Sequence, residues 1–506
     1  MGVMDEETQG DLVADFAELQ ALVRSGLARV QAHQTDLERM RQQYQPQTFE
    51  QLQTSASELE KKFQKILAAI DEDAQRVASS GGGSDTTLTE ALAHKKALSD
   101  LARTVQSELA SVLSAGEWQS PSFLHSVFSE AGSKTGAVQV GANDYKRDMY
   151  PDERAYAQEF VAAYVDQGPR LVPVAFPTSS CMAAITTVLG HLRLGVKESD
   201  RILVGRSTYF QTKWILEHLF PGQVVYIDEL DTEGIVAFAR EHQPPIVVFD
   251  SIGNSGELPM TNVKELIPAL ARVLSRHATL VLDNTTLGVF AQPLHFLPVG
   301  LHMRLIVVES LSKYHQFGFD RANGGILWTP AGLSIQELGH ARIHMGTNLP
   351  DASLYVLHKP NRALFEKRLL RIGRNAQRLA ERLDGVLKSS LGPASHIVYP
   401  GLPSHPSYAW AKDLPFCGGF FVIAFRPGKQ KFSEYDAFVV RVFAEATRRG
   451  VPLIGGTGFG FTTTRVYVPG RTATEKDAFV RVSVGTETAG ELEALGDVFI
   501  AALSLS

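Results

Sequence analysis

The first 115 residues carry a helical pattern of apolar positions. Apolar side chains recur at alternating steps of three and four residues over 16–40, 52–70 and 88–112. This period places them on one face of an α-helix, and Lys95 breaks the third face with a charge. We therefore predict an all-α N-terminal extension over residues 1–115, made of three amphipathic helices with coiled-coil-like packing.

This extension contains no chemical motif, so its role stays open between two alternatives. A helical appendage would cover the rest of the chain or help copies of the chain to associate, and we favour this interpretation. A docking module would instead bind another protein through its helices. Residues 116–150 follow with Pro, Gly and scattered polar side chains, which are typical of an extended arm.

From residue 151 onwards the pattern changes to short apolar runs that alternate with helical stretches. A helix is predicted over 152–166. The apolar runs typical of buried strands lie at 171–176, 201–204, 224–227, 246–250, 279–283 and 305–308. Strands that alternate with helices predict an α/β fold with a mainly parallel sheet over 151–390, and ligands of such sheets bind at the carboxyl ends of the strands.

A smaller C-terminal domain is predicted over residues 391–506. A long helical stretch at 361–389 leads into it. Apolar runs at 418–425 and 479–485 are typical of strands, and helical stretches lie between and after them. Strands packed against helices predict a small α+β domain.

Composition narrows the class of protein. The 506 residues are too many for one core, and the net charge of −6 gives no reason to expect nucleic acid or an anionic membrane as partner. No apolar run is long enough to span a bilayer, and the acidic N-terminus lacks a signal pattern. The two cysteines, Cys181 and Cys417, cannot form a disulfide framework, so we expect a cytoplasmic protein. We assign no metal ligands.

Two strand ends carry the main candidate chemistry. Lys313 lies in the segment Ser310-Leu311-Ser312-Lys313-Tyr314, directly after the apolar run at 305–308. Asp283 is the last residue of the preceding run, at 279–283. The lysine amine can condense with an aldehyde, and the hydroxyls of Ser310 and Ser312 can hold a phosphate. A carboxylate at a strand tip can keep a pyridine nitrogen protonated. Together these groups predict pyridoxal 5′-phosphate (PLP) as cofactor.

Further polar residues fall at the same predicted edge of the sheet. Ser180-Cys181-Met182 opens a helix, whose free N–H groups suit an anion; the alternative is a plain Ser helix cap. Tyr209 and Asn254 follow two other strands. Asn254 is either a cofactor contact or a turn residue. Their convergence at one edge strengthens the prediction of a cofactor site.

A series of motifs follows a characteristic order along the chain. The segments are 145–147 with Pro151, 180–184, 208–212, 283–285, 310–314 with Asp320 and 324–325, 399–406, and 481–485. In this order they resemble the cysteine/methionine-metabolism family of PLP-dependent enzymes, which includes cystathionine synthases and lyases, methionine lyase and homoserine sulfhydrylases. The resemblance covers residues 120–506 and implies a fold type I large domain with cystathionine γ-synthase-like organisation.

The resemblance implies a role for each matched residue. Lys313 would hold the cofactor and shuttle protons, Asp283 would pair with its pyridinium, and Tyr209 would stack on the ring and serve as an acid–base group. Backbone and hydroxyl groups that would hold the phosphate belong to Ser180, Cys181, Met182, Ser310 and Ser312.

Three more residues complete the implied site. Tyr145 and Arg147 would reach the phosphate from a neighbouring subunit, which implies a homodimer or homotetramer with a shared active site. Arg481 would clamp the α-carboxylate of an amino-acid substrate through a bidentate pair. Asn254 would contact the oxygen on the cofactor ring.

The implied reaction is elimination or replacement at the β or γ carbon of an amino acid, of the trans-sulfuration type. A γ reaction requires deprotonation at Cα and then at Cβ, and the sequence does not choose between lyase and transferase. The alternatives are a C–S β-lyase, an aminotransferase that shares Asp283 and Lys313, and a degenerate scaffold that acts through its helices.

The chain also departs from the family pattern. Cys181 stands in place of a glycine in the phosphate turn, so we expect that turn to be shaped differently. Phe210 and Gln211 replace two glycines beside the cofactor ring, and 315–319 lacks the usual residues after the lysine. Larger side chains fill space that glycine leaves free. We therefore expect poor activity on cystathionine and simple homoserine esters, and a preference for γ-replacement on a nonstandard substrate pair.

Overall fold

The structure is a computed structural model. It describes residues 2–39, 41–79, 85–115, 150–166, 172–298, 300, 303–330, 335–389, 392–470 and 478–504. The predicted arm up to residue 149, with Tyr145 and Arg147, lies outside the described residues.

Three long helices form the N-terminal part, as the apolar pattern predicted. They are α1 (Gly2–Arg39), α2 (Pro46–Ser79) and α3 (Asp85–Ala115), and their apolar faces form one packed core. At Gly26 the missing side chain lets α2 approach α1, because a Cβ there would lie 2.6 Å from the Phe63 ring. The prediction of an all-α N-terminal region is confirmed.

This helical bundle packs against the rest of the chain. Lys95, which breaks the predicted apolar face of α3, is 7% exposed; its amine lies 2.9 Å from Asp15 of α1 and 3.8 Å from Glu491 near the C-terminus. Asp11 of α1 pairs with Arg374 at 2.9 Å and also with Arg371. Among the residues described, the bundle therefore packs against its own chain.

The large part of the chain is built on a seven-stranded sheet. Its strands are β1 (Pro173–Thr178), β2 (Ile202–Gly205), β3 (Val224–Ile227), β4 (Ile246–Asp250), β5 (Thr279–Asp283), β6 (Arg304–Ser310) and β7 (Gly325–Pro330). The order is β1-β7-β6-β5-β4-β2-β3, and β7 runs antiparallel to both its neighbours while the other strand pairs are parallel. The predicted mainly parallel sheet is confirmed.

Helices cover both faces of this sheet. They are α4 (Pro151–Tyr164), α5 (Cys181–Arg193), α6 (Phe210–Leu219), α7 (Thr232–His242), α8 (Val263–Val273) and α9 (Ile335–Met345). Helix α10 (Asp351–Val356) packs against α3 of the bundle, and the long helix α11 (Arg362–Leu387) packs against the C-terminal sheet. In β4, Ile246 and Val248 pack into one core while Val247 and Phe249 pack into another. Burial on both faces explains why the strands are continuous apolar runs rather than alternating ones.

The C-terminal part contains a second sheet of five strands. It is built from β8 (Ala394–Val398), β9 (Phe420–Phe425), β10 (Ile454–Gly455), β11 (Arg465–Tyr467) and β12 (Val480–Ser483), with helices α12 (Tyr408–Ala411), α13 (Phe432–Arg449) and α14 (Ala489–Ser504). The strand order is β10-β11-β12-β9-β8. A small part of α+β type is thus present as predicted, while the boundaries at 115, 150 and 390 stay predictions.

Element ends differ from the predicted ones by a few residues. The helix predicted over 152–166 spans 151–164, and β1 begins two residues later than predicted, at Pro173. Proline has no N–H to donate, so it is tolerated at the first position of a strand or helix. Across the described ranges, the helices include none that is long and apolar enough to cross a bilayer.

Candidate active site

The carboxyl ends of β4, β5 and β6 and one face of the second sheet border a cavity of about 770 Å³. Every predicted site residue that the structure describes lines it, namely Ser180, Cys181, Met182, Tyr209, Asn254, Asp283, Ser310, Ser312, Lys313 and Arg481. Tyr145 and Arg147 lie outside the described residues. The edge of the parallel sheet and the second sheet thus bring to one cavity residues that lie as far apart in the chain as Ser180 and Arg481.

Lys313 follows β6 directly and points its amine into the cavity. Its Nζ lies 5.7 Å from the centre of the Phe459 ring, and within the described residues it has no acidic partner. Burial, and then the positive charge of Arg481, lower the pKa of Lys313. A lowered pKa increases the neutral fraction of an amine, which is the form that attacks an aldehyde.

Asp283 ends β5, and its carboxylate is held from two sides. Its Oδ1 accepts the N–H of Thr285 at 2.9 Å, and the thiol of Cys181 donates to its Oδ2 at 3.8 Å. Burial raises the pKa of Asp283. A cationic nitrogen placed beside this carboxylate would offset the cost of burial and favour its ionised form.

Asp250 is a site residue that the sequence reasoning missed. It ends β4, lies in register with Asp283, and accepts the N–H of Tyr209 through Oδ2 at 2.9 Å. Burial, and then the charge of Asp283, raise the pKa of Asp250 well above its usual range. Asp250 thereby fixes the backbone from which the Tyr209 ring enters the cavity. Its position at the end of a predicted strand was the signal that could have found it.

Tyr209 begins the turn into α6, next to the two residues that depart from the family pattern. Burial raises the pKa of Tyr209, and its ring centre lies 4.9 Å from that of Phe210. Phe210 and Gln211 both line the cavity, and Phe210 is 46% exposed. These two side chains therefore border the space beside the predicted ring position, as expected from the sequence.

The turn before α5 has the geometry of an anion site. The hydroxyl of Ser180 caps the helix and accepts the N–H of Ala183 at 3.0 Å. The N–H groups of Cys181 and Met182 open the helix and have no intrahelical acceptor. Gly325 of β7 closes on this turn, because a Cβ there would lie 2.3 Å from the carbonyl carbon of Ser180.

The thiol of Cys181 points towards Asp283. Burial raises the pKa of this thiol well above its usual range, so it stays protonated and can donate. The substitution therefore changes the surroundings of Asp283.

Arg481 lies in β12 at the opposite side of the cavity. It is 5% exposed, its Nη1 donates to Asn254 Oδ1 at 3.1 Å, and its guanidinium lies 4.7 Å from the Tyr467 ring centre and 5.1 Å from that of Phe420. In the described part of the chain, no carboxylate pairs with it. A buried guanidinium without a counter-ion suits a substrate carboxylate.

Cavity residues that lie in loops or in the second sheet were also not predicted from the sequence. They are Thr285, Thr286, Asn323, Phe420, Gly456, Thr457, Gly458, Phe459 and Tyr467. Thr285 accepts the N–H of Ser310 at 2.9 Å and so links two strand ends. The glycine-rich run at 455–460 was a visible sign of a close-packed loop.

These groups fit PLP. A buried amine without a counter-ion, a strand-tip carboxylate, a helix start and an aromatic ring surround one cavity of the size of a small-molecule site. The amine matches the aldehyde of the cofactor and the carboxylate matches its ring nitrogen. The helix start matches the phosphate, and the aromatic ring matches the face of the cofactor ring.

Comparison with known proteins extends this picture. An O-succinylhomoserine sulfhydrylase of Mycobacterium tuberculosis is 30% identical over 329 residues, which cover 63% of this chain and 76% of that protein. A protein named bifunctional enzyme flvA of Aspergillus flavus is 24% identical over 352 residues; these are 68% of this chain but 41% of the relative.

Solved structures share the fold. The metB structure from Corynebacterium glutamicum superposes with a TM-score of 0.60 at 21% identity, covering 76% of this chain and 92% of that one. A cystathionine gamma synthase of Xanthomonas oryzae pv. oryzae superposes with a TM-score of 0.57 at 20% identity, covering 72% of this chain and 89% of that one. The predicted fold type I architecture is therefore confirmed.

A family described as Cys/Met metabolism PLP-dependent enzymes matches residues 105–498. The match covers the large sheet, the cavity and most of the C-terminal part, and it leaves out most of the helical bundle. The predicted cofactor and the predicted enzyme class are both confirmed at the level of the family. The chain belongs to the Cys/Met metabolism family of PLP-dependent enzymes.

Proposed function

We propose that this enzyme catalyses γ-replacement on an activated amino acid, with a substrate pair that differs from those of common family members. The observation that supports it most is the cavity bordered by Lys313, Asp283 and Arg481, with Phe210 and Gln211 at its rim. An amine, a carboxylate and a carboxylate-binding guanidinium serve the family chemistry. The two larger side chains change the space available to the substrate.

Bound PLP supplies an electron sink that acidifies the carbon-bound protons of the substrate. Lys313 would hold the cofactor and then carry protons at Cα and Cβ, which its lowered pKa favours. Asp283 would keep the pyridine nitrogen protonated. Tyr209 would stack on the ring, and its raised pKa keeps the phenol protonated, so that it acts as a proton donor.

The phosphate would bind the N–H groups of Cys181 and Met182 at the start of α5, with hydroxyls of Ser310 and Ser312 nearby. The Ser312 hydroxyl already contacts the Gly324 backbone, accepting its N–H at 3.2 Å. Ser180 would act as the cap that fixes the turn.

Arg481 would bind the α-carboxylate, and Asn254 would orient it. The bond from Arg481 Nη1 to Asn254 Oδ1 supports this second role over a contact with the cofactor ring oxygen. The amide thereby holds one side of the guanidinium and leaves other N–H groups for the substrate.

We also propose a homo-oligomer with shared sites, in which Tyr145 and Arg147 reach a neighbouring subunit's phosphate. Inactive Arg147→Ala subunits mixed with inactive Lys313→Ala subunits should regain activity, because one hybrid site would keep both residues. Mixed dimers that were verified and stayed inactive would show that the arm serves its own subunit. The two free thiols support a cytoplasmic setting.

The test of the reaction is a panel of β- and γ-substituted amino acids. Keto-acid release and exchange of Cα and Cβ protons with solvent deuterium would be followed. We expect exchange at both carbons and slow turnover of cystathionine. Exchange at Cα alone would exclude the γ reaction and leave the β-lyase alternative, and conversion of the cofactor to its aminated form would indicate an aminotransferase instead.

The role of the rim is tested with the double variant Phe210→Gly and Gln211→Gly. This change restores the family pattern and should increase activity on cystathionine. Trp214→Ala is the matched control, because Trp214 lies on the same helix, is 60% exposed and does not line the cavity. Equal activity of the double variant and the wild type on cystathionine would contradict the proposed role of these side chains.

A further inference from the structure

A loop that we call the glycine loop, residues 456–464, packs directly on the lysine that would carry the cofactor. Gly460 has φ of +88°, and a Cβ there would lie 3.1 Å from the carbonyl carbon of Lys313 and 3.0 Å from the nitrogen of Tyr314. At Gly458 a Cβ would lie 3.7 Å from Lys313 Nζ. The loop therefore covers one side of the lysine.

Arg368 of α11 holds the glycine loop from behind. It is 3% exposed, and its Nη2 donates to the carbonyl of Gly460 and to Thr462 Oγ1, both at 3.3 Å. It also passes Gly318, in the segment after Lys313, where a Cβ would lie 2.6 Å from Nη2. One buried guanidinium thus contacts both chain segments that enclose the lysine.

The counter-charge for Arg368 comes from the helical bundle. Its Nη1 donates to Glu18 Oε1 of α1 at 2.5 Å, and within the described residues no other carboxylate pairs with Arg368. Its other two acceptors, Gly460 and Thr462, are neutral. A buried guanidinium without its counter-ion would be strongly disfavoured, so the place of Arg368 depends on Glu18.

A second connection runs from α3 to the same loop. Arg103 Nε donates to the carbonyl of Phe319 at 2.8 Å, and the neighbouring Asp320 pairs with Arg465 at 3.2 Å. Arg465 Nη1 then donates to the carbonyl of Thr457 at 2.9 Å. Two helices of the bundle therefore hold the walls of the cavity through separate arginines.

We infer that the N-terminal helical bundle is a working part of the active site, in which Glu18 positions Arg368 and thereby holds the glycine loop against Lys313. Glycine-rich segments lose much conformational entropy on ordering, so a fixed loop needs contacts from outside itself. The bundle provides them. Glu18 and Arg368 are positioning residues, and the inference rests on the proposed function only where Lys313 is taken to carry the cofactor.

The test compares Glu18→Ala with Glu7→Ala in the full-length enzyme with PLP bound. Glu7 is a matched control because it lies on α1 and pairs with Arg374 and Arg378 of α11, at 3.2 and 2.6 Å, without contacting the glycine loop. Thermal unfolding establishes that both variants are folded. Glu18→Gln, which removes only the charge, replaces Glu18→Ala if the latter does not fold.

Three readouts are expected to change for the Glu18 variant and to stay at wild-type values for Glu7→Ala. Amide hydrogen exchange of residues 456–464 should become about tenfold faster, because the loop opens more often. The value of kcat/KM should fall about tenfold, the loss expected for one charge-assisted hydrogen bond. The pH midpoint of the visible absorbance of the bound cofactor should move upward, because water beside Lys313 stabilises its protonated nitrogen.

A Glu18 variant with wild-type exchange in the loop and a wild-type pH midpoint would overturn the inference, whatever its thermal stability. Equal effects of the two variants would also overturn it, because a general weakening of the bundle would then explain them. Failure of the part of the proposed function on which the inference rests, the attachment of the cofactor to Lys313, is distinguishable, because the wild type itself would then lack a borohydride-trapped cofactor on Lys313. The exchange comparison tests the loop contact in that case as well.

Discussion

Replacement of Arg481 by lysine tests the substrate side of the site. The guanidinium is 5% exposed, donates one hydrogen bond to Asn254 and faces the rings of Tyr467 and Phe420. Lysine keeps the positive charge but loses the planar fork that binds both oxygens of a carboxylate. Arg481→Lys should therefore weaken amino-acid binding while the cofactor stays bound.

The magnitude follows from the bonds that lysine cannot replace. A hydrogen bond to a charged group contributes about 1.5–3 kcal/mol, and a tenfold change in binding corresponds to about 1.4 kcal/mol. Losing one prong of a bidentate pair should thus raise KM by about tenfold to a hundredfold. The contact with the aromatic rings persists in part, because an ammonium group is also attracted to a ring face.

The assay measures KM for an amino-acid substrate and for the corresponding amine that lacks the carboxylate. The wild type should prefer the amino acid by more than this factor, and the preference should fall by about tenfold to a hundredfold in Arg481→Lys. Arg193→Lys is the control, because Arg193 also lies against a ring, that of Phe220, and donates to neutral carbonyls, but does not line the cavity. An unchanged preference in Arg481→Lys would exclude it as the carboxylate ligand.

Three further predictions concern the cofactor side. Lys313→Ala should abolish the visible absorbance of bound cofactor and its trapping by borohydride, and a trapped cofactor on another lysine would contradict the assignment. The rate of cofactor attachment to the apoenzyme should rise with pH and level off at a pH below the pKa of an ordinary lysine, because the pKa of Lys313 is lowered. Arg481→Leu removes a positive charge and should therefore move this plateau to higher pH. An unmoved plateau would be evidence that the charge of Arg481 does not lower the pKa of Lys313. Gly325→Ala should weaken cofactor binding and destabilise the fold by about 1–3 kcal/mol, because the added Cβ would lie 2.3 Å from the Ser180 backbone. The control is Gly256→Ala, whose added Cβ would contact only Phe479, at 3.6 Å. Equal melting temperatures and cofactor affinities for the two variants would refute this reasoning.

The sequence alone predicted the elements of the large domain well. The strands at 224–227 and 246–250 have the predicted bounds, and the helix predicted over 361–389 spans 362–387. Apolar periodicity is a local property, because each residue of a strand or helix faces its core at a fixed spacing. The same local signal marked Lys313 and Asp283, since strand ends can be located from the apolar runs before them.

Contacts between distant segments left no such signal. Lys95 appeared as a flaw in an apolar face, although it is buried between Asp15 and Glu491. Asp250 resembled an ordinary strand end until its register beside Asp283 and its bond to the Tyr209 backbone were known. A charged side chain is stable in the interior because a partner binds it, and only the packing of distant segments shows which residue that partner is.

The sequence by itself determined the order of strands and helices, the cofactor and the residues at the strand ends, because short-range periodicity and motif order encode them. Only the tertiary structure decided which of these residues share the cavity, where the thiol of Cys181 points, and that the helical bundle contacts the walls of the cavity through Glu18. Such relations join residues hundreds of positions apart, as with Glu18 and Arg368 at a separation of 350. They arise from the docking of complete elements, and no local pattern specifies that docking.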